Sequence, residues 1–164
     1  HEVLSDLTGY KHIIPTHQGR ASEKILATIS VKEGDIIPSN SHFDTTRANF
    51  EFAQSNPIDL LCEEGLDLLS PAPFNGNVDL EKLEELLKGP ESNKIPFVLM
   101  TITNNTGGGQ PVSMDNLKKV KELCTKYNKM YLLDACRFAE NAWFVSQREE
   151  EYKDVEIFFD ATSE

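Results

Sequence analysis

Short apolar runs alternate along the chain with stretches in which apolar residues recur every three or four positions, and that alternation predicts most of the elements. His12–Pro15 is a brief apolar lead-in, followed by the turn THQGR and by ASEKILATI, where Ile25, Leu26 and Ile29 fall at helical spacing. VKEGD, residues 31–35, turns into Ile36–Ile37, a short strand. Leu66–Leu69 is read as another strand before the loop PAPFNGN. Asp79 is placed to cap LEKLEELLK, whose Leu80, Leu83, Leu86 and Leu87 share a face and which Gly89 stops. PFVLMTIT is a continuous apolar run, the mark of a strand buried on both faces in a parallel sheet.

After the loop NNTGGGQPVS, Ser113 can cap a helix carrying Leu117, Val120, Leu123 and Cys124 and ending near Asn128; MYLLD, residues 130–134, is the next strand. Strand, loop, helix and strand in this order make a βαβ unit, so the fold class is α/β. The charged runs EKLEELLK and SQREEEYKD read as solvated helix faces without chemistry.

Composition narrows the function classes. The 164 residues carry 39% hydrophobic and 26% charged side chains, a globular balance. A net charge of −11, from 27 acidic against 16 basic residues, leaves no basic stripe for nucleic acid or an anionic membrane surface. Cys62, Cys124 and Cys136 are odd in number and far apart, which fits reduced thiols and a cytosolic setting rather than a disulfide framework or a zinc site. His1, His12, His17 and His42 lack metal-ligand spacing, and no apolar run nears 18 residues. A first residue of His1 rather than Met and the ending FFDATSE suggest a fragment or an incompletely determined sequence.

Three segments carry candidate chemistry, each with a plainer reading beside it. In open parallel sheets ligands sit beyond the carboxyl ends of the strands. Asn105 with Gly107–Gly109 follows one strand there, and Asp134 closes its neighbour, three residues before Arg137. The plainer reading is a loop anchor or a structural ion pair. In THQGRASE, Gly19 permits a tight turn, and a helix beginning near Ser22 would, with Arg20, hold an anion such as phosphate. The alternative is an ordinary capped helix with a surface arginine. In SNSHFDTTR, Phe43 could stack on a flat ligand or be simple core. The glycines of GGGQP imply backbone conformations that side chains forbid, or close approach to a ligand.

Taken together, IIPTHQGRASE, HFDTTR, TITNNTGGGQPVS and DACRFAENAWF, in that order from about Tyr10 to Tyr152, resemble the pyridoxal-phosphate β-eliminating lyases, tryptophanase and tyrosine phenol-lyase. FDTT, TIT and RFAENA are closer to the tryptophanase pattern; the phenol-lyase pattern would favour Thr at position 44. The resemblance implies the large domain of an aspartate-aminotransferase-like, fold type I enzyme: a mainly parallel sheet with helices on both faces. Residues 1–164 would form a single, incomplete segment of it, without the N-terminal arm, the Schiff-base lysine region and the small domain.

It also implies roles. Gln18, Gly19 and Arg20 would cradle the phosphate of pyridoxal 5′-phosphate, Phe43 would stack on its ring, and Asn105 and Arg137 would lie near its phenolic oxygen. Asp134 would bond the pyridine nitrogen, and Asp44 would serve the leaving-group side of the substrate. The implied reaction is β-elimination from an aromatic amino acid, L-tryptophan giving indole, pyruvate and ammonia, by a cytoplasmic, potassium-dependent homotetramer whose cation ligands lie outside this sequence. Tyrosine phenol-lyase, cysteine lyase and threonine-aldolase-like activities, and an inactive relative that only binds, remain as alternatives. The family's lysine belongs to a Ser-x-Lys-Lys motif after the aspartate, whereas the sole lysine beyond Asp134 is Lys153, in EYKD. This chain alone is therefore expected to be inactive.

Overall fold

The computed structural model describes residues 5, 6 and 8–153; His1 and the ending from 154 onward, on which two of the expectations fall, lie outside the described residues. Four strands, β1 (Ile36–Ser39), β2 (Asn56–Asp59), β3 (Phe97–Thr101) and β4 (Met130–Asp134), form one sheet in the order β2-β1-β3-β4. Every pairing is parallel. The α-helices that accompany them among the described residues from Gly19 onward are α1 (Gly19–Ser30), α2 (Asp44–Phe52), α3 (Glu63–Leu66), α4 (Leu80–Lys88), α5 (Met114–Lys126) and α6 (Phe138–Arg148).

Side chains alternate across the sheet, as strand geometry requires. Ile36, Val98 and Met100 point to one face, against Leu83 and Leu87 of α4, Leu117, Val120 and Cys124 of α5, and Val145 of α6. Ile37, Phe97 and Leu99 point to the other, against Ala27 of α1 and Phe50 of α2. Both faces are thus covered, and the apolar run of β3, buried at all five positions, follows from that.

The caps fall where the sequence puts them. Asp79 accepts from the Lys82 amide at 3.0 Å and Ser113 from the Asn116 amide at 3.1 Å, satisfying amides that a helix start leaves open. Three elements differ from expectation. Leu66–Leu69 is no strand: one turn of α3 ends at Leu66, and Leu68 and Leu69 are 97% and 90% exposed. The sheet edge instead takes NPID as β2, where Pro57, which has no amide hydrogen, is tolerated. Helix α1 starts at Gly19, so that glycine is the first helical residue and makes no tight turn.

Because β2 and β3 lie on opposite sides of β1, the chain reverses direction across the sheet between β1 and β3. The two strands share one registered pair, Ser39 with Leu99. Beyond it the buried Asn40 takes over: its side-chain amide donates to the Thr101 carbonyl at 3.0 Å and accepts from the Thr101 amide at 3.0 Å. A side chain thereby supplies the next rung of the ladder. Its amide also donates to the Gly76 carbonyl at 2.8 Å.

Candidate functional site

Beyond the carboxyl ends of β1, β3 and β4, on the α1–α2 side of the sheet, lies a cavity of about 680 Å³. Gln18, Gly19, Arg20, Phe43, Asn105 and Asp134 all line it, so six of the eight residues singled out from sequence come together in one place.

One end is the start of α1. Gln18 stands at the N-cap but makes no side-chain cap, while the amides of Ala21 and Ser22 turn back to its carbonyl. The Gly19 and Arg20 amides head the helix, where no intrahelical acceptor exists. A Cβ built on Gly19 would meet nothing within 4 Å, so the backbone is open to an approaching group. Open amides, the helix dipole and the Arg20 guanidinium all favour an anion here.

The other end is Asp134, the last residue of β4. Its backbone is fixed by pairing with Thr101, and its carbonyl accepts from the Ile102 amide at 2.9 Å. Its carboxylate accepts from the Cys136 amide at 3.2 Å, and among the described residues no basic side chain forms an ion pair with it. Burial holds this carboxyl above the usual carboxylate range; the Cys136 amide offsets part of the rise and the charge of Glu23 adds to it. The adjacent Cys136 thiol is pushed up to about 11, mainly by burial and then by Asp134, which makes it a poor nucleophile at neutral pH.

A carboxyl that titrates higher when folded than when unfolded favours folding in its protonated form. That contribution is fully present below the ordinary value of 3.8 and is lost as pH rises through the folded value. Asp134→Asn is therefore expected to raise the melting temperature of the ligand-free chain at neutral pH, with the gap closing on acidification. Paired thermal melts at acid and neutral pH check this, and a variant less stable than the parent at neutral pH contradicts it.

Phe43 is aimed by its neighbours. The preceding His42 is buried, with Nδ1 2.7 Å from Asp59 Oδ1, and its amide donates to the same oxygen at 2.9 Å. Arg47 of α2 holds the other Asp59 oxygen at 2.6 Å. Burial would raise the Asp59 carboxyl, but the two His42 hydrogen bonds and the charges of His42 and Arg47 outweigh it and hold the group below its ordinary value. In the glycine loop, Gly108 and Gly109 have φ of +82° and +80°, which L side chains rarely adopt.

Asp44 and Arg137 do not line the cavity. Asp44 opens α2, exposed, with its carboxylate accepting from the Thr45 amide at 2.6 Å. Arg137 is exposed at the N-cap of α6, and its Nη1 lies 3.2 Å from the point where a Gly109 Cβ would stand. Asp44 is held at its own helix start, whereas the Arg137 guanidinium reaches toward the glycine loop without capping α6. Lys153 is also absent from the lining and pairs with Glu150. The sequence reading missed Ser22, Glu23, Thr45 and Thr46, which do line it. Glu23 follows Arg20 by three residues on a helix, a spacing that puts both on one face.

Among the described residues no cluster of His, Cys, Asp or Glu could hold a metal ion, and no helix is long and apolar enough to cross a membrane.

Residues 1–162 match the family model described as beta-eliminating lyase. Over 156 residues the chain is 50% identical to a probable beta-eliminating lyase of Trichomonas vaginalis and 50% identical to a tryptophanase of Salinibacter ruber. It is 44% identical to a tyrosine phenol-lyase of Pasteurella multocida. Each alignment covers 95% of this chain but only 33–34% of the relative, so the chain spans about a third of the length of the curated relatives it matches. Among solved structures, cystalysin of Treponema denticola, which contains pyridoxal 5′-phosphate, superposes with a TM-score of 0.61 at 19% identity, over 80% of this chain and 32% of that one. The aspartate aminotransferase of Rhizobium meliloti superposes at 0.56 and 16% identity, over 81% and 32%. The fold is that of the fold type I enzymes, as a partial domain.

Proposed function

The chain belongs to the beta-eliminating lyase family, and on that premise we propose that it is the cofactor-holding part of a pyridoxal-phosphate lyase acting on an aromatic amino acid. One observation carries the reading: a single cavity has an open helix start with Arg20 at one end and, at the other, a half-buried carboxylate without a basic partner among the described residues. A phosphate fits the first and a cationic ring nitrogen the second.

Gln18, Gly19 and Arg20 would hold the phosphate, Phe43 would flank the ring, Asn105 would face its phenolic oxygen, and Asp134 would keep a proton at its nitrogen. When bound, the cofactor supplies an electron sink for the carbanion left by removal of the α-proton. The chain's own part is to bind, to orient and to hold that proton. Arg137 and Asp44 are assigned by resemblance alone, Arg137 beside the phenolic oxygen and Asp44 toward the leaving group. The covalent lysine, potassium, the tetramer and the cytoplasmic setting are assigned on the same ground to a protein of the relatives' length. The matches to HFDTTR and RFAENA favour L-tryptophan, cleaved with water to indole, pyruvate and ammonia, over L-tyrosine.

Pyridoxine 5′-phosphate has the ring and the phosphate but no aldehyde, so it needs no lysine to bind. It is expected to bind the chain reversibly, and Arg20→Ala to weaken it by about tenfold or more, the loss of a charge-assisted contact. Fluorescence titration measures both, and failure of the unaltered chain to bind at millimolar ligand overturns the assignment. Indole or phenol release by the longer protein decides the substrate.

A further inference from the structure

Two carboxylates face this cavity, and the reading above uses only one. Glu23 of α1 lines it. Its Oε1 accepts from the hydroxyl of buried Thr46 at 2.8 Å and its Oε2 from the Asn49 side-chain amide at 3.4 Å, both donors on α2. Neither partner is a cation, so the clamp fixes the carboxylate in place without cancelling its charge. A surface glutamate would swing toward solvent or a lysine; this one is tied across two helices.

We propose that Glu23 is a positioning residue that keeps one proton on the pair formed by Asp134 and the nitrogen of a bound ring. The inference rests on the cofactor reading above. A second fixed anion near a carboxylate–heterocycle pair lowers the energy of the protonated pair relative to the deprotonated one, wherever within the pair the proton sits. Among the described residues the other charged or titratable groups about Asp134 are Arg20 on α1, which lines the same cavity, and Cys136 and Arg137 in the turn that follows β4. From α2 come Thr45, Thr46 and Phe50, which are neutral, and from β3 comes Leu99. Arg47 of α2 is engaged by Asp59 and Glu51. Glu23 is thus the anion that tunes the site. It reaches Asp134 through the cavity and not through a shared hydrogen bond, so its effect is electrostatic and survives changes that keep its charge.

Two measurements test this on the chain as it stands. The first follows pyridoxine 5′-phosphate affinity against pH. Glu23→Gln, which keeps the shape and removes the charge, is expected to weaken binding about fivefold at about pH 8 and to leave it nearly unchanged at about pH 6, the size of a partly screened charge pair. Glu23→Asp, which keeps the charge, is expected to retain most of the alkaline affinity. The second follows the Asp134 side-chain carboxyl by carbon NMR in the ligand-free chain, where Glu23→Gln moves the titration midpoint to lower pH. A merely structural role would weaken binding equally at every pH and leave the Asp134 midpoint in place; either result overturns the proposal while the cofactor reading stands. Failure of the unaltered chain to bind the ester overturns the cofactor reading and this inference with it.

Discussion

Replacing Asp134 by alanine, in a protein of the relatives' length that carries this segment, is expected to lower turnover by about three orders of magnitude while the fold persists. An ion pair between a carboxylate and a ring nitrogen at about 3 Å is worth on the order of 5 kcal/mol at an effective dielectric near 20, before desolvation. Desolvation removes part of it, and each 1.36 kcal/mol that remains is about a factor of ten in rate. The loss falls on kcat more than on KM, because without the carboxylate a bound ring would lose the proton that makes it an effective electron sink, while the phosphate contacts that bind it would remain. At neutral pH the charge of this acid does not stabilise the empty fold, since burial disfavours the charged form. Steady-state kinetics beside a thermal melt separate the two effects. Near-normal turnover removes Asp134 from its assigned place.

The second large effect is structural. Asn40→Ala is expected to cost about 3 kcal/mol or more, because it leaves the Thr101 amide and the carbonyls of Thr101 and Gly76 buried without their partner. For a chain of this size that corresponds to a fall of about 10 °C in melting temperature. The damage is local to the junction of β1 and β3, which carries one registered pair besides this rung. Phe43 and Asn105 follow those two strands, so ligand affinity is expected to fall together with the melting temperature. Calorimetry and ester titration on the same sample check both; a melt within a degree or two of the parent contradicts the role.

The central unit was legible because its signals are redundant. Phe97–Thr101 is apolar at nearly every position, Ser113 caps the helix that follows, and Met130–Asp134 repeats the strand pattern. Placing Asn105 and Asp134 at one sheet edge then required only the parallel order, which also brought Gln18, Gly19, Arg20 and Phe43 into the same cavity. What escaped was written in contacts between distant segments. Strand β2 is four residues with a proline and two polar ends, and it becomes a strand by pairing with β1. Helix α2 buries only Thr46 and Phe50, too few to show a periodic face. Leu66–Leu69 has the composition of a strand and no partner to pair with among the described residues. The i,i+3 spacing could place Glu23 on the face of Arg20, but its clamp could not be read without α2, because its two donors lie there. Asp44 and Arg137 stand beside chain-neighbours that do line the cavity, and sequence proximity alone cannot tell which side chain turns inward.

Asp134 belongs to a hydrogen-bonded ladder, registered against Thr101 and pinned by the Ile102 amide. The groups around the cavity mouth sit instead on a loop with two left-handed glycines and on a helix start. The two parts can therefore diverge at different rates. Substitutions in the loop can reshape the cavity mouth without re-aiming the acid. Directed evolution that leaves the strand termini, Asn104 and Asn105 intact and randomises residues 106–110 would exploit that division of labour.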